Sequence, residues 1–248
     1  MLEEEDSDSR APGLGVPLSG VPAQVLSGHW GWRPEWTAEH RVWWWYATFE
    51  NVPAVRRLAA QTRNALKPDA PVDVVPTRWL HLTLAEVGGS ASVPRPLAYE
   101  AARRAVAPLA ELPPVDIQVG PLRTMPGAVA LGVHGGGLQQ VYERLVTAIP
   151  DELPERPVQR PFDPHVSIAY LARDCRSSDL LPCDARTGAL LHLSVKATLD
   201  HVTLVEVVRD RGHYWWTPRC RVPLDGQRTR PPASVRATQR ARHLRPVD

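Results

Sequence analysis

The feature that most constrains this chain is an eight-residue frame that occurs twice. Residues 81–88 read HLTLAEVG and residues 165–172 read HVSIAYLA. Both run histidine, aliphatic, hydroxyl, aliphatic, Ala, variable, aliphatic, small. Alternation of this kind is a β-strand signature, and strand side chains point to opposite faces in turn. His81 and Thr83 then project from one face while Leu82 and Leu84 enter a core. In the second copy His165 and Ser167 share a face while Val166 and Ile168 pack. A fold that satisfies both copies holds two equivalent strands whose histidines are 84 residues apart, each setting an imidazole beside a hydroxyl. The duplication is of a site, not of a core.

Two further histidines precede a hydroxyl residue by two positions, His192 before Ser194 and His201 before Thr203. Among nine histidines about one such match is expected by chance, so the surrounding residues decide. His192 leads into Lys196 in a barely periodic stretch. His201 opens an alternating strand but follows His192 by only nine residues, which leaves no room for a second lobe between them. It reads as a sheet histidine, half exposed or hydrogen-bonded.

Strand patterns occur at Val42–Phe49, Trp79–Val87, Val115–Val119, Ala128–Val133 and His165–Leu171, and Leu199–Val208 with Tyr214–Val222 reads as a closing hairpin. Helical spacing covers Val52–Leu66, Ala98–Leu112 (with Pro108 expected to kink or end it) and Leu138–Ile149. Residues 177–191 read as weakly structured. Strands and helices alternate, and hairpin-linked strands make the sheet at least partly antiparallel, so the class is α+β. Gly135–Gly137 precede a helix without the Lys-Ser or Lys-Thr of a phosphate-binding loop.

The charge balance is 29 Lys+Arg against 27 Asp+Glu, a formal +2, which argues against a binder working through many phosphate contacts. It is unevenly spread: residues 1–10 hold five acids and one Arg, and residues 226–248 hold six Arg and one Asp. Residues 1–36 read as an acidic, Pro- and Gly-containing tail and 226–248 as a basic mobile tail that is solvated or brushes nucleic acid. The body is then 37–225. No apolar run approaches the ~20 residues that cross a bilayer. The start MLEEEDSDSR is unlike a leader peptide. Cys175, Cys183 and Cys220 form neither a disulfide framework nor a zinc pattern, so a cytoplasmic location is expected.

The ordered pair WLHLTLAEVG and FDPHVSIAYL, with Pro164 before His165 and Gly88 after the first motif, resembles the 2H phosphoesterase superfamily. Its nearest likeness is to the bacterial branch of 2′-5′ RNA ligases, which also act on 2′,3′-cyclic phosphates. The resemblance spans roughly residues 40–224. Ser167 departs from the commoner Thr, and Glu86 stands where an aromatic or apolar residue is expected.

The resemblance implies a bilobal α+β fold, two pseudo-symmetric antiparallel-sheet lobes with helices outside and a central cleft. It implies His81 and His165 as the catalytic pair, Thr83 and Ser167 as phosphate-binding hydroxyls, and no metal or other cofactor. Partners are RNA 3′ ends or small cyclic-phosphate nucleotides, on a monomer without a membrane. A histidine titrates near neutrality, so one ring can serve as base while its twin serves as acid. His81 is assigned to the leaving oxygen and His165 to the nucleophile. A non-catalytic binding module with the same cleft is the alternative. Arg78, Arg123, Arg160 and Arg173 are candidate cations for the phosphate, Trp43–Trp45 and Tyr214–Trp216 could stack a base or pack a core, and Tyr170, an odd number of residues from His165, is expected to face away.

Overall fold

The computed structural model describes residues 24–31, 36–153, 157–159, 161–182, 185–210 and 212–226. Residues 1–23 of the acidic head and 227–248 of the basic tail lie outside them, as do Arg160 and Cys183. In chain order the elements begin with β1 (Val25–Leu26), β2 (Arg41–Thr48), α1 (Pro53–Arg63), β3 (Val72–Val74), β4 (His81–Gly89) and α2 (Arg95–Ala110). They continue with β5 (Val115–Met125), β6 (Ala128–His134), α3 (Leu138–Ala148), β7 (His165–Leu171) and β8 (Cys175–Arg176). The chain closes with α4 (Ala185–Leu190), β9 (Val195–Leu199), β10 (His201–Asp210) and β11 (His213–Pro223).

Nine strands form one antiparallel sheet in the order β11-β10-β2-β4-β7-β6-β5-β9, with β3 also on β7. It divides into a four-stranded half (β11-β10-β2-β4) and a five-stranded half (β7-β6-β5-β9 with β3), because β4 and β7 meet at a single register pair, Leu82 opposite Val166. Each half carries one histidine motif on its innermost strand. The fold is thus the expected α+β arrangement of two related lobes.

Leu82 and Val166 are fully buried on the face that the helices cover. Helix α1 starts with Pro53 at its first turn and buries Val55, Leu58, Ala59 and Thr62, one stripe at helical spacing, against β7 and β9 of the second lobe. Helices α2 and α3 cross over to the first lobe, packing on β11 and β4. The buried stripe of α2 is Ala98, Ala101, Ala102, Ala105 and Leu109, small side chains that let the helix sit close. Pro108 does not end α2, which runs on to Ala110. It lies in the last turn, where one lost backbone hydrogen bond is tolerated.

Other elements differ from the expectation as well, among them α4 (Ala185–Leu190), which forms within the stretch read as weakly structured. Strand β5 does not stop at Val119, since a bulge absorbs Gly120 (φ +111°) and Pro121 and the ladder resumes at Leu122 opposite Leu131. Strand β9 was not expected, and it forms by pairing along the edge of β5 from Val195 to Leu199. Gln24–Gly31, inside the segment expected to be a tail, is also placed on the body, with β1 paired to β8.

Candidate active site

The single pair between β4 and β7 determines how the two motifs meet. Opposed residues in an antiparallel pair share a face. With Leu82 and Val166 both in the core, their neighbours His81, Thr83, His165 and Ser167 all emerge on the other face. The local two-fold axis through that pair exchanges the motifs. Antiparallel register about Leu82 and Val166 sets His81 on the side of Ser167 and Thr83 on the side of His165, so the two histidines stand on a diagonal. All four line one cavity of about 370 Å³. The remaining walls include Trp44 and Tyr46 of the first lobe and the Met125–Ala128 turn and Tyr170 of the second.

Both imidazoles are held in the same way. His81 Nδ1 lies 2.9 Å from the carbonyl oxygen of Trp79, and His165 Nδ1 lies 2.7 Å from that of Asp163. A carbonyl only accepts, so each Nδ1 carries a proton and donates, and Nε2 is left as the basic nitrogen. The same i−2 anchor in each lobe extends the duplication from sequence to tautomer. His81 is also stacked on Tyr46, with centroids 4.1 Å apart and planes at 21°, and meets the edge of Trp216 at 4.8 Å. Arg123 Nη2 pairs with Asp163 at 2.6 Å, steadying the residue whose carbonyl orients His165.

Burial lowers the His81 pKa to about 4, with the Trp79 carbonyl opposing and His165 adding to the shift. Burial likewise lowers His165, the Asp163 carbonyl opposing it and Arg123 reinforcing it. Both rings are therefore neutral at pH 7 with the cavity empty. An anion between the rings would stabilise the imidazolium and raise these values.

Tyr170 contradicts the expectation that it faces away. Strand β7 pairs with β6 through Ser167 opposite Ala130 and Ala169 opposite Val129, so Ile168 is an extra residue in a bulge. Beyond a bulge the alternation inverts. Tyr170 thus lines the cavity and hydrogen-bonds Ser167. In β4 the bulge falls on the matching residue, Leu84, between Thr83 opposite Tyr46 and Ala85 opposite Trp45. There Tyr46 hydrogen-bonds Thr83. Each hydroxyl of the pair is therefore backed by a tyrosine, and burial raises the pKa of both phenols.

A third histidine was missed. His29 lines the cavity from the segment before β2, with Nε2 2.8 Å from the Tyr214 hydroxyl and its ring 4.3 Å from that of Tyr170. Burial, Arg209 and His165 together lower its pKa to about 4. No pattern around Gly28-His29-Trp30 marks it in the sequence, since only a long-range contact brings it in.

Trp44 and Tyr214 line the cavity, whereas Trp43 and Trp45 are core. Trp216 packs on His81, and Trp215 is 40% exposed. Arg78 lies over the Trp79 ring at 5.3 Å, and Arg173 is exposed. His201 sits at the start of β10, hydrogen-bonded to Asp200, outside the cavity. His192 is exposed in the turn before β9. Among the described residues no group of three or more His, Cys, Asp and Glu is placed to hold a metal ion, and no helix is long and apolar enough to cross a membrane.

The family model described as the 2′-5′ RNA ligase superfamily matches residues 49–211. The chain belongs to the 2′-5′ RNA ligase superfamily. The resemblance to 2H phosphoesterases read from the two motifs is thus a family relation, and phosphoesterase activity is the function class that the superfamily suggests. No curated protein matches the chain. Among solved structures of similar fold, TT0787 of Thermus thermophilus is 19% identical at a TM-score of 0.57, covering 75% of this chain and 99% of that one. E. coli LigT complexed with 3′-AMP is 21% identical at 0.54, and LigT complexed with NADP+ is 20% identical at 0.55, each with the same coverage. The superfamily match begins after the segment that carries His29.

Proposed function

We propose that this protein is a metal-independent phosphodiesterase that hydrolyses 2′,3′-cyclic phosphates on RNA ends or nucleotides through His81 and His165. The observation that carries this reading is the matched pair of imidazoles, each fixed through Nδ1 to the carbonyl two residues before it, with Nε2 basic. Phosphorus sits between the rings, with Thr83 and Ser167 donating to its non-bridging oxygens. His165 Nε2 takes a proton from water as the water oxygen bonds to phosphorus. His81, protonated on Nε2 in the bound complex, gives its proton to the ribose oxygen as the P–O bond breaks. Arg123 beside His165 favours the neutral ring that a base requires. By microscopic reversibility a 5′-hydroxyl in place of water gives 2′-5′ ligation. The binding of 3′-AMP by the similarly folded LigT agrees with a nucleotide ligand here.

The test is hydrolysis of 2′,3′-cyclic AMP and of an oligonucleotide ending in a cyclic phosphate. His81→Ala and His165→Ala each lose about 10²–10⁴ in kcat, Thr83→Val loses about 10²–10³, and His201→Ala, outside the cavity, keeps the wild-type rate. Undiminished turnover in both single histidine variants overturns the mechanism.

A further inference from the structure

The segment Gln24–Gly31 bridges both lobes across one end of the cavity. On the second lobe Gly127 N–H donates to Ser27 O at 3.0 Å, and His29 N–H donates to Leu171 O at 2.8 Å. Gly28 N–H reaches Asp174 Oδ1 at 2.7 Å, and Trp30 Nε1–H reaches Asp73 Oδ2 at 2.7 Å. On the first lobe His29 meets Tyr214, and Arg209 lies 5.1 Å over the Trp30 ring while donating to the Trp30 carbonyl. The fit leaves no gap. A Cβ on Gly28 would come within 2.9 Å of Arg173 Cα, and one on Gly127 (φ +80°) within 2.9 Å of His29 Nδ1.

Ser27, Gly28 and His29 form the wall of the cavity at this end, beside Tyr170 and Tyr214. This strap reaches the motifs through Tyr170, whose ring lies 4.3 Å from that of His29 and which hydrogen-bonds Ser167. With phosphate held between the motifs, a nucleoside packs against the aromatic walls, and the strap bounds it on one side. A cavity of about 370 Å³ is at the small end of ligand pockets, about 300–1,000 Å³, room for one nucleotide and not for several, and the seated strap closes it on one side.

We infer that the strap is a specificity element that confines this site to mononucleotide-sized cyclic phosphates and keeps out longer RNA ends. The inference rests on the proposed phosphodiesterase reading for its substrate and adds the size limit. Trp30 and Asp73 anchor the strap without lining the cavity, so Trp30→Ala and Asp73→Ala loosen it without removing a side chain of either motif, and Asp73→Ala also keeps the Trp30 packing on Tyr170 and Tyr214.

The experiment uses the full chain and its Trp30→Ala and Asp73→Ala variants. It measures kcat/KM for 2′,3′-cyclic AMP and for a decamer ending in a 2′,3′-cyclic phosphate, and affinity for 3′-AMP and a 3′-phosphorylated decamer by tryptophan fluorescence. Wild type is expected to favour the mononucleotide by at least about tenfold, and each variant to cut that ratio to about threefold or less by improving the decamer. A wild type that treats both lengths alike, or variants that leave both ratios where they were, overturns the inference. If no protein hydrolyses either substrate but the binding ratio shifts as expected, the phosphodiesterase reading fails and the strap inference stands. Two anchors are tested so that a variant that does not fold leaves the other to decide.

Discussion

Acid should destabilise this protein through the groups that form its site. His81 is 7% exposed and wedged between Tyr46 and Trp216, and burial holds its pKa at about 4 against an ordinary 6.5. As pH falls below 6.5 the unfolded chain takes up a proton at this ring while the native ring stays neutral. The unfolded state binds more protons, so stability falls with pH, by about 1.4 kcal/mol per unit once the two differ by a full proton. The stability present above pH 6.5 is lost down to pH 4, and the loss assigned to His81 is about 3 kcal/mol. His29, lowered to about the same value, contributes a loss of similar size, and His165 adds in the same direction. The perturbation is His81→Asn, because the Asn amide can keep the hydrogen bond to the Trp79 carbonyl that Nδ1–H makes. The variant should be less stable at pH 7 by about 1–2 kcal/mol from the space left beside Tyr46. Between pH 7 and pH 4 it should lose about 3 kcal/mol less than wild type. Urea unfolding at pH 7, 5.5 and 4.5 for both proteins reads this difference. Parallel stability curves for wild type and variant across that range would refute the argument that burial holds this ring neutral.

Two further outcomes follow from the same geometry. Binding of 3′-AMP at pH 7 should take up protons, since a phosphate between two neutral imidazoles raises their pKa values, and calorimetry in buffers of different ionisation enthalpy should show an uptake that His81→Asn reduces. Leu82→Ala should cost about 2–5 kcal/mol of stability by chemical denaturation, because Leu82 is fully buried and forms the lone register pair between the lobes with Val166.

Much of this was legible along the chain. The alternation of His81-Leu82-Thr83 and His165-Val166-Ser167 requires only strand geometry, which acts between neighbours and so is written locally. The same is true of the stripes Val55, Leu58, Ala59, Thr62 on α1 and Leu138, Val141, Leu145, Ala148 on α3. Edge strand β9 was not legible, because only one of its five residues is buried and its alternation has meaning only beside β5. Pro108 was expected to kink or end its helix and β5 to stop at Val119, yet Pro108 falls in a last turn and Gly120-Pro121 in a bulge whose neighbours resume their ladder.

By itself the sequence determined that two equivalent strands each present an imidazole and a hydroxyl on one face, and that the fold holding them is α+β. It also carried enough to place the chain in its superfamily. Tertiary structure decided the rest of the site. The pairing of Leu82 with Val166 turned two separate faces into one cavity, and bulges at Leu84 and Ile168 set Tyr46 against Thr83 and turned Tyr170 inward. The strap brought His29 from a stretch with no periodicity of its own. These are contacts between residues far apart in the chain, and they depend on which strand lies beside which and in what register. Local alternation cannot encode that choice, because a bulge or a bridging segment changes the outcome without changing the pattern on either side.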